Sequence, residues 1–331
     1  MSTSQAPIGS GFGPATTAQE VIGGIDLTGK TAIVTGGHAG LGLETARVLQ
    51  SAGARIVVPA RDVVKATTAL ASIPGVLVEP MDLMDPDSID AFAERFLATG
   101  EPLHLLINNA GIMAHPLARD TRGYESQFAT NHLGHFQLTV RLWPALTMAS
   151  GARVVALSSR GHRFSGVDFE DPNFEHRPYD PWIAYGQSKS ANVLFAVHLD
   201  SISQKDGVRA FAVHPGGIVT DLARYVPRET LLQMGAVDAN GEPVIEPEKG
   251  RKNLQQGAAT TVWCATSPRL EGLGGVYCED CDIAPASDGA PRQAGEISLT
   301  PGAYPWATDP GLAERLWRLS EELTGISTNP V

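Results

Sequence analysis

Short runs of mostly apolar residues alternate along the chain with segments whose apolar residues recur at helical spacing. Near-continuous apolar runs are typical of strands buried on both faces, and their alternation with amphipathic helices is typical of a parallel sheet. The pattern predicts an α/β fold, a doubly wound parallel sheet of seven strands with helices on both faces. The predicted strands are Thr31–Thr35, Arg55–Val58, Val76–Pro80, Leu103–Asn108, Arg153–Leu157, Arg209–Val213 and Gly275–Tyr277.

Two segments fall outside this alternation. Residues 1–25 are rich in Ser, Thr, Gly, Pro and Ala without apolar periodicity, which predicts a flexible N-terminal extension before a single domain spanning 26–331. Residues 221–252 follow the sixth predicted strand and mix prolines with apolar residues. This composition is compatible with a mobile lid over a substrate or with a disordered insertion.

Composition narrows the class of protein. The net charge of −11 disfavours nucleic acid and anionic lipid as partners, because both would be repelled at long range. The chain lacks an apolar run long enough to span a bilayer and a signal peptide, so we expect a soluble, cytoplasmic protein without a membrane partner. Three cysteines, Cys264, Cys278 and Cys281, are too few for a disulfide framework and lack the partners of a metal site.

A glycine-rich turn follows the first predicted strand, in Thr35-Gly-Gly-His-Ala-Gly-Leu-Gly42, and a helical pattern follows the turn. Glycines at positions 36, 40 and 42 let the backbone approach a pyrophosphate, whose charge the helix N-terminus stabilises. A turn of this kind between a strand and a helix predicts a Rossmann-type dinucleotide site.

The residue that reads the adenosine ribose is expected near the end of the second strand. An acid there favours the free 2′-hydroxyl of NAD, but the positions hold Ala60 and then Arg61, whose guanidinium suits a 2′-phosphate. The sequence therefore favours NADP(H), while Asp62 keeps NAD(H) open. Asp82 is placed to accept from an adenine amino group or to cap a helix, and Leu83 to pack on the ring.

The residues most suggestive of catalysis are Ser159, Tyr185 and Lys189. Ser159 lies just after the fifth strand, and a spacing of four places Tyr185 and Lys189 on one face of a helix. An ammonium near a phenol lowers its pKa, as a proton acceptor for a carbinol requires, and a serine hydroxyl can hydrogen-bond the reacting oxygen.

With these motifs in this order, the chain resembles the short-chain dehydrogenase/reductase family over residues 27–285, and within it the branch of retinol dehydrogenases and the WW-domain oxidoreductase. The resemblance implies that Tyr185 is the general acid/base, that Lys189 binds the nicotinamide ribose, that Ser159 positions substrate, and that Asn131 is a fourth catalytic residue. It also implies that the segment from His214 to Thr220 contacts the nicotinamide. The complete set of expected cofactor contacts is Gly36, His38, Ala39, Gly40, Leu41, Gly42, Arg61, Asp82, Leu83, Asn109, Ala110, Gly111, Tyr185, Lys189, Pro215, Gly216, Ile218 and Thr220.

The expected reaction is hydride transfer between a hydrophobic or aromatic alcohol and its ketone or aldehyde, a small-molecule substrate. Candidate pocket walls are Met113, Phe164, Trp182, Tyr225 and Trp263, together with Ser159. Two alternatives remain open: a catalytically silent dinucleotide-sensing or scaffolding protein, and a reductase of an activated carbon–carbon double bond. The resemblance further implies a homodimer or homotetramer paired through two long helices, 123–148 and 185–206, and no metal is expected.

Overall fold

Eight strands form one sheet in the computed structural model, which describes residues 3–287 and 302–327. The strand order is β3-β2-β1-β4-β5-β6-β7-β8, parallel throughout except that β8 runs antiparallel to β7. The predicted α/β fold class is confirmed. The strands are β1 Thr31–Val34, β2 Arg55–Ala60, β3 Leu77–Pro80, β4 Leu105–Asn108, β5 Arg153–Leu157, β6 Arg209–Val213, β7 Val276–Glu279 and β8 Asp282–Ile283.

The predicted count of seven strands is wrong by one. After β7 the chain reverses through Asp280 and Cys281, both with positive φ, at 51° and 60°. Asp282 and Ile283 then pair back onto Glu279 and Cys278. A strand of two residues carries no periodicity, so the hydrophobic pattern could not reveal it.

Helices cover both faces of the sheet. The α-helices are α1 Ala18–Val21, α2 Gly40–Ser51, α3 Val63–Ala69, α4 Pro86–Ala98, α5 Ser126–Phe128, α6 Gly134–Arg141, α7 Trp143–Met148, α8 Pro181–Ser203, α9 Arg228–Gln233, α10 Leu254–Gly257, α11 Ala259–Thr266, α12 Pro305–Thr308 and α13 Pro310–Thr324. A π-helical turn, Ala129–Leu133, joins α5 to α6. The long helix expected over 123–148 is therefore three shorter helices and a wide turn.

Successive strand residues face opposite cores. In β1, Val34 joins the buried cluster under α1, α2 and α11, while Ile33 joins the cluster under α4, α6, α7 and α8. Both clusters are almost entirely apolar, which explains why the strands read as continuous apolar runs instead of alternating ones.

The N-terminal residues differ from the expected loose extension, because they pack along the β7–β8 edge. Gln5 donates through Nε2 to the carbonyls of Tyr277 and Ala284 and accepts from Tyr277 N through Oε1. The Asp282 carboxylate accepts from the backbone N–H groups of residues 8–10. These bonds satisfy the polar edge of the sheet within the same chain.

The C-terminal helix α13 lies on the outer face of α8. Trp317 stacks on Phe195 with ring centroids 5.8 Å apart, and Ser320 shares a 2.7 Å hydrogen bond with His132. As a result α8 is buried from Ala184 to Ala196. The 185–206 helix that was expected to pair subunits is thus covered by this chain's own helix, so any homo-oligomer would have to include α13 or use another surface.

Segment 221–252 is folded against the domain in this structure. It contains α9, and an isolated bridge joins Gly217 to Arg251. The segment ends at Lys252, which is buried and pairs with Asp280 at 2.6 Å between Nζ and Oδ1.

Candidate active site

The strand order reverses between β1 and β4, and in such a sheet a crevice opens at that point, beyond the carboxyl ends of the strands. A cavity of about 940 Å³ lies there. All of the expected cofactor and pocket residues from Gly36 to Tyr225 line it. Two other predicted site residues, Asn131 and Trp263, are not among the lining residues.

The glycine-rich turn is built for close approach. Gly36 and Gly40 have φ of +64° and +51°, and a β-carbon at Gly42 would stand 2.3 Å from the Gly36 carbonyl oxygen. Helix α2 begins after Ala39, which provides no side-chain cap, and its first turn holds no acidic residue. The backbone N–H groups at the start of α2 have no side-chain cap, and the glycines let a ligand approach them closely. Such N–H groups can bind a pyrophosphate.

Thr35 ties the turn to the end of β4. Its Oγ1 accepts from the backbone N–H groups of Asn109 and Ala110, both at 2.9 Å, and Asn109 Nδ2 donates to the Thr35 carbonyl at 2.7 Å. The Asn109-Ala110-Gly111 segment is therefore held beside the glycine-rich turn, where a dinucleotide would cross between strands.

Three basic groups gather at the β2 end of the cavity, namely His38, Arg61 and Lys65. Burial lowers the pKa of His38, and the charges of Lys65 and Arg61 lower it further. The alternative ribose reader, Asp62, instead caps α3, because its Oδ1 accepts from Lys65 N at 2.9 Å. Lys65 was missed by sequence reasoning because it lies one turn into a helix, beyond the strand end that the motif inspects.

Asp82 and Leu83 line the cavity at the end of β3. The Asp82 carboxylate accepts from Met84 N at 2.9 Å, while Asp85 is the residue that caps α4. The alternative interpretation of Asp82 as a helix cap is therefore wrong, and Asp82 lines the same cavity as the glycine-rich turn.

Helix α8 positions Tyr185 and Lys189. Asp180 caps its N-terminus by accepting from Trp182 N and Ile183 N, and Pro181 occupies the first helical position, where its missing N–H costs nothing. The ammonium of Lys189 donates to the Leu157 carbonyl at 2.9 Å and lies 5.6 Å from the centroid of the Tyr185 ring.

Burial dominates the electrostatics of this pair. It raises the pKa of Tyr185 to about 12, opposed by a hydrogen bond with Ser159, and it lowers the pKa of Lys189 to about 7. Ser159 is the one group that lowers the pKa of Tyr185 here, so the lowering expected from Lys189 is not found in this arrangement. Tyr185 is a protonated phenol at neutral pH, which suits a proton donor.

Ser159 begins a 3₁₀ turn after β5, and its Oγ accepts from Gly161 N at 3.0 Å. Gly161 was missed by sequence reasoning, although a β-carbon there would stand 2.8 Å from Tyr185 Cε1. A glycine two residues after the serine is therefore required for the tyrosine ring to lie beside the serine hydroxyl.

Asn131 lies in the π-helical turn and contacts the cavity wall from behind. Its side chain accepts from Ile112 N and donates to Ile112 O, at 2.9 and 3.0 Å, and also donates to Ser188 Oγ at 2.9 Å. A β-carbon at Gly111 would stand 3.0 Å from Asn131 Oδ1 and 3.6 Å from Lys189 Nζ. The asparagine thus fixes the β4 loop against the lysine.

The segment after β6 covers the start of α2. Thr220 lies 3.6 Å from where a Gly40 β-carbon would be, and Ile218 packs with Leu41 around Gly257. Pro215 and Gly216, at the start of this segment, line the cavity, and Gly216 takes a φ of +104° against the Lys252 side chain.

Part of the cavity wall is aromatic and apolar. Trp182 packs edge-on to both Phe164 and Tyr185, with centroids 6.1 and 6.4 Å apart, and Tyr225 packs on His115 at 4.6 Å. Met113 completes the predicted wall. The structure adds Leu222, Leu231 and Met234 from segment 221–252, and Arg160 beside Ser159.

The prediction of Trp263 as a pocket wall was wrong. Its side chain is fully buried in the core on the face of the sheet away from α8. The three cysteines are buried free thiols. Across residues 3–287 and 302–327, His, Cys, Asp and Glu side chains form no group of three or more that could hold a metal ion. Within the same ranges no helix combines the length and apolarity needed to cross a bilayer.

Comparison with known proteins places this geometry in a family. The short chain dehydrogenase family model matches residues 30–230. A probable oxidoreductase of Streptomyces antibioticus is 43% identical over 88% of this chain and 97% of that protein. Mouse retinol dehydrogenase 12 is 39% identical over 91% of this chain and 88% of that protein.

Solved structures agree with the fold. A protein from Mycobacterium paratuberculosis superposes with a TM-score of 0.70 at 33% identity, covering 94% of this chain and 98% of that one. The NADP complex of RhlG from Pseudomonas aeruginosa reaches a TM-score of 0.60 at 22% identity over 77% of this chain and 95% of that one, which bears on the fold alone. The chain is an NAD(P)-dependent oxidoreductase that belongs to the short-chain dehydrogenase/reductase family, in its retinol dehydrogenase-like branch.

Proposed function

We propose that this protein interconverts a hydrophobic or aromatic alcohol and its ketone or aldehyde, with NADP(H) as the preferred cofactor and Tyr185 as the general acid/base. The observation that carries the proposal is the convergence of Tyr185, Ser159 and Lys189 on the cavity that the uncapped N-terminus of α2 also faces. Acid/base groups and a dinucleotide cradle in one cavity are what a hydride-transfer enzyme requires.

Each residue has a separate task in carbonyl reduction. Ser159 Oγ and the Tyr185 hydroxyl hold the substrate oxygen, and Tyr185 gives its proton to that oxygen as negative charge develops there. A bound nicotinamide supplies the hydride. Lys189, held by the Leu157 carbonyl, places a positive charge beside the phenolate that remains, and Asn131 fixes the loop against which Lys189 lies.

The preference for NADP(H) rests on the charges at the β2 end. Arg61 and Lys65 present cations where a ribose 2′-phosphate would lie, and the carboxylate of Asp62, the residue after Arg61, is engaged in capping α3. A bidentate guanidinium suits a phosphate better than a hydroxyl. NAD(H) lacks the group that these cations would pair with.

The substrate class follows from the wall around the catalytic residues. Met113, Phe164, Trp182 and Tyr225 supply apolar surface, and Leu231 and Met234 of segment 221–252 add to it. Such a pocket selects for apolar bulk and leaves polar recognition to the reacting oxygen. We expect segment 221–252 to act as the substrate lid.

The test is a titration of the purified protein with NADPH and NADH by nicotinamide fluorescence, followed by a panel of aromatic and aliphatic aldehydes and ketones monitored by loss of reduced-cofactor absorbance. Tighter NADPH binding together with alcohol formation is the expected result. Cofactor binding without any turnover would instead support a silent dinucleotide sensor, and in that case Tyr185→Phe would leave the cofactor affinity unchanged. Products that retain the carbonyl would indicate carbon–carbon double-bond reduction.

A further inference from the structure

Two buried histidines stand one turn after residues of the proposed catalytic set, and the mechanism above uses neither. His135 follows Asn131 by four residues, and His162 follows Ser159 by three. His135 is 3% exposed and His162 is fully buried. An unpaired ring nitrogen in a buried imidazole costs free energy, so the partners of these two rings are informative.

His135 connects Asn131 to the glycine-rich turn. Its Nδ1 lies 3.0 Å from the main-chain carbonyl oxygen of Asn131, and its Nε2 lies 2.9 Å from Thr35 Oγ1. Thr35 Oγ1 already accepts from two backbone N–H groups, those of Asn109 and Ala110. Its own proton has two acceptors within reach, Nε2 at 2.9 Å and the Ile107 carbonyl at 3.3 Å, and Nε2 is the nearer of the two.

His162 connects Ser159 to the chain before α12. Its Nδ1 lies 2.7 Å from the main-chain carbonyl oxygen of Ser159, and its Nε2 accepts from Tyr304 N at 3.2 Å. The His162 carbonyl in turn accepts from Ser190 Oγ, next to Lys189 in α8, at 2.9 Å. The ring thus joins Ser159 to a segment far away in sequence.

These partners assign the tautomer of both rings. A carbonyl oxygen can only accept, so each Nδ1 must carry the proton. Thr35 Oγ1 and Tyr304 N then donate to an unprotonated Nε2, which a neutral ring provides. Burial lowers the pKa of His135 to about 4 and that of His162 to about 3, consistent with neutral rings.

We propose that His135 and His162 are positioning residues that hold the main-chain carbonyls of Asn131 and Ser159 through Nδ1–H, each kept in this tautomer by a donor at Nε2. The inference rests on the proposed function for its catalytic consequence. Fixing both carbonyls orients the Asn131 amide toward Ile112 and the Ser159 hydroxyl toward Tyr185. Small displacements of such groups cost large factors in rate, because catalysis depends on their preset geometry.

The tautomer can be measured without a substrate. In full-length protein labelled with ¹⁵N-histidine, long-range proton–nitrogen correlation spectra distinguish protonated from unprotonated ring nitrogens. We assign the two rings by the signals that disappear in His135→Asn and His162→Asn. Both rings are expected as neutral Nδ1–H tautomers at pH 7. An Nε2–H tautomer or a charged ring at either position would overturn the proposal for that residue.

Matched variants test the catalytic consequence. An asparagine amide can place its nitrogen where Nδ1 stood and keep the bond to the carbonyl, whereas a glutamine amide reaches the Nε2 position and loses it. At each site the Gln variant is expected to have a kcat roughly 10- to 100-fold below that of the Asn variant, at similar Tm and NADPH Kd. Equal kcat values for the two variants, or kcat losses that only follow Tm, would overturn the positioning role.

Failure of this proposal differs from failure of the proposed function. Wild-type protein that binds no NADPH, or reduces none of the panel, would sink the proposed function, and the nitrogen spectra would still decide whether the two carbonyls are held. Normal wild-type turnover with equal Asn and Gln variants would sink the positioning role alone.

Discussion

The α-carbon of Gly161 lies against the ring of Tyr185, so closely that a β-carbon there would stand 2.8 Å from Cε1 and 3.0 Å from Cδ1. In Gly161→Ala the ring must move away from Ser159. We expect kcat for carbonyl reduction to fall on the order of 100-fold while NADPH affinity changes little, since a misplaced acid loses its alignment with the substrate oxygen.

Stopped-flow turnover and NADPH titration of G161A give the two quantities. The control is Gly13→Ala, because a β-carbon at Gly13 meets no atom within 4 Å. An unchanged kcat in G161A would mean that the Tyr185 ring position does not limit the reaction.

Arg61→Ala tests the cofactor preference. Removal of a charged donor to a 2′-phosphate should weaken NADPH binding roughly 10- to 100-fold and leave NADH binding nearly unchanged. Fluorescence titration with both cofactors measures this ratio. The control is Arg95→Ala, which removes an arginine paired with Glu79 on the surface. Equal losses for the two cofactors would refute the 2′-phosphate reading.

The lowered pKa of Lys189 predicts that the rate of NADPH-dependent reduction depends on pH. Because burial lowers the pKa of its ammonium to about 7, the free enzyme loses this positive charge as pH rises through that value. We expect kcat/KM for NADPH, at saturating aldehyde, to fall above pH 7. Lys189→Arg keeps a charge at higher pH, so its limb should move upward even if its rate is lower. A flat wild-type profile between pH 6 and 9 would contradict this assignment.

Buried neutral histidines should make the fold acid-sensitive. Burial lowers the pKa of His132 to about 3 from its ordinary 6.5, so below pH 6.5 the unfolded chain binds a proton that the folded chain does not. The stability contributed by the neutral ring is therefore complete above pH 6.5 and is lost as pH falls below it. From pH 7.5 to 5.5 the loss is about 1.4 kcal/mol for each such histidine.

Urea unfolding of His132→Leu at the two pH values checks this linkage. Ser320 keeps a partner in that variant, since its Oγ also donates to the Leu316 carbonyl. The pH-dependent loss of the free energy of unfolding should shrink by about one histidine's share, 1.4 kcal/mol. His176→Leu, at an exposed position, serves as the control. The same loss in H132L and wild type would disprove the linkage.

The parts of the fold that sequence could predict are those with local signals. Seven strands could be predicted because each contains a short, mostly apolar run, even β3, whose residues are at most partly buried. The cavity residues could be predicted because glycine-rich turns and a four-residue Tyr–Lys spacing are short patterns. Long-range polar contacts leave no such pattern. Gln5 lies in a Ser/Gly/Pro-rich segment, and nothing in that segment indicates a hydrogen bond to Tyr277. The apolar pattern around Asn131 does not distinguish a π-helical turn from an α-helix.

Trp263 illustrates the same limit in the core. Trp263 lies in α11, which covers the face of the sheet away from Tyr185. The sequence does not show which face of a sheet a helix covers. The tautomers of His135 and His162 likewise depend on Thr35 and Tyr304, partners that only the folded chain brings within reach.

The placement of α13 over α8 determines when, during synthesis, the apolar outer face of α8 can be buried. The ribosome synthesises Tyr185 and Lys189 long before it reaches Trp317. The outer face of α8 therefore stays exposed in the nascent chain until α13 has been made. A premature stop codon just before residue 310 would spare every residue of the cavity. It would nonetheless leave Phe195 and His132 exposed in the finished polypeptide, and the protein would be lost to aggregation or proteolysis rather than to any defect in its chemistry.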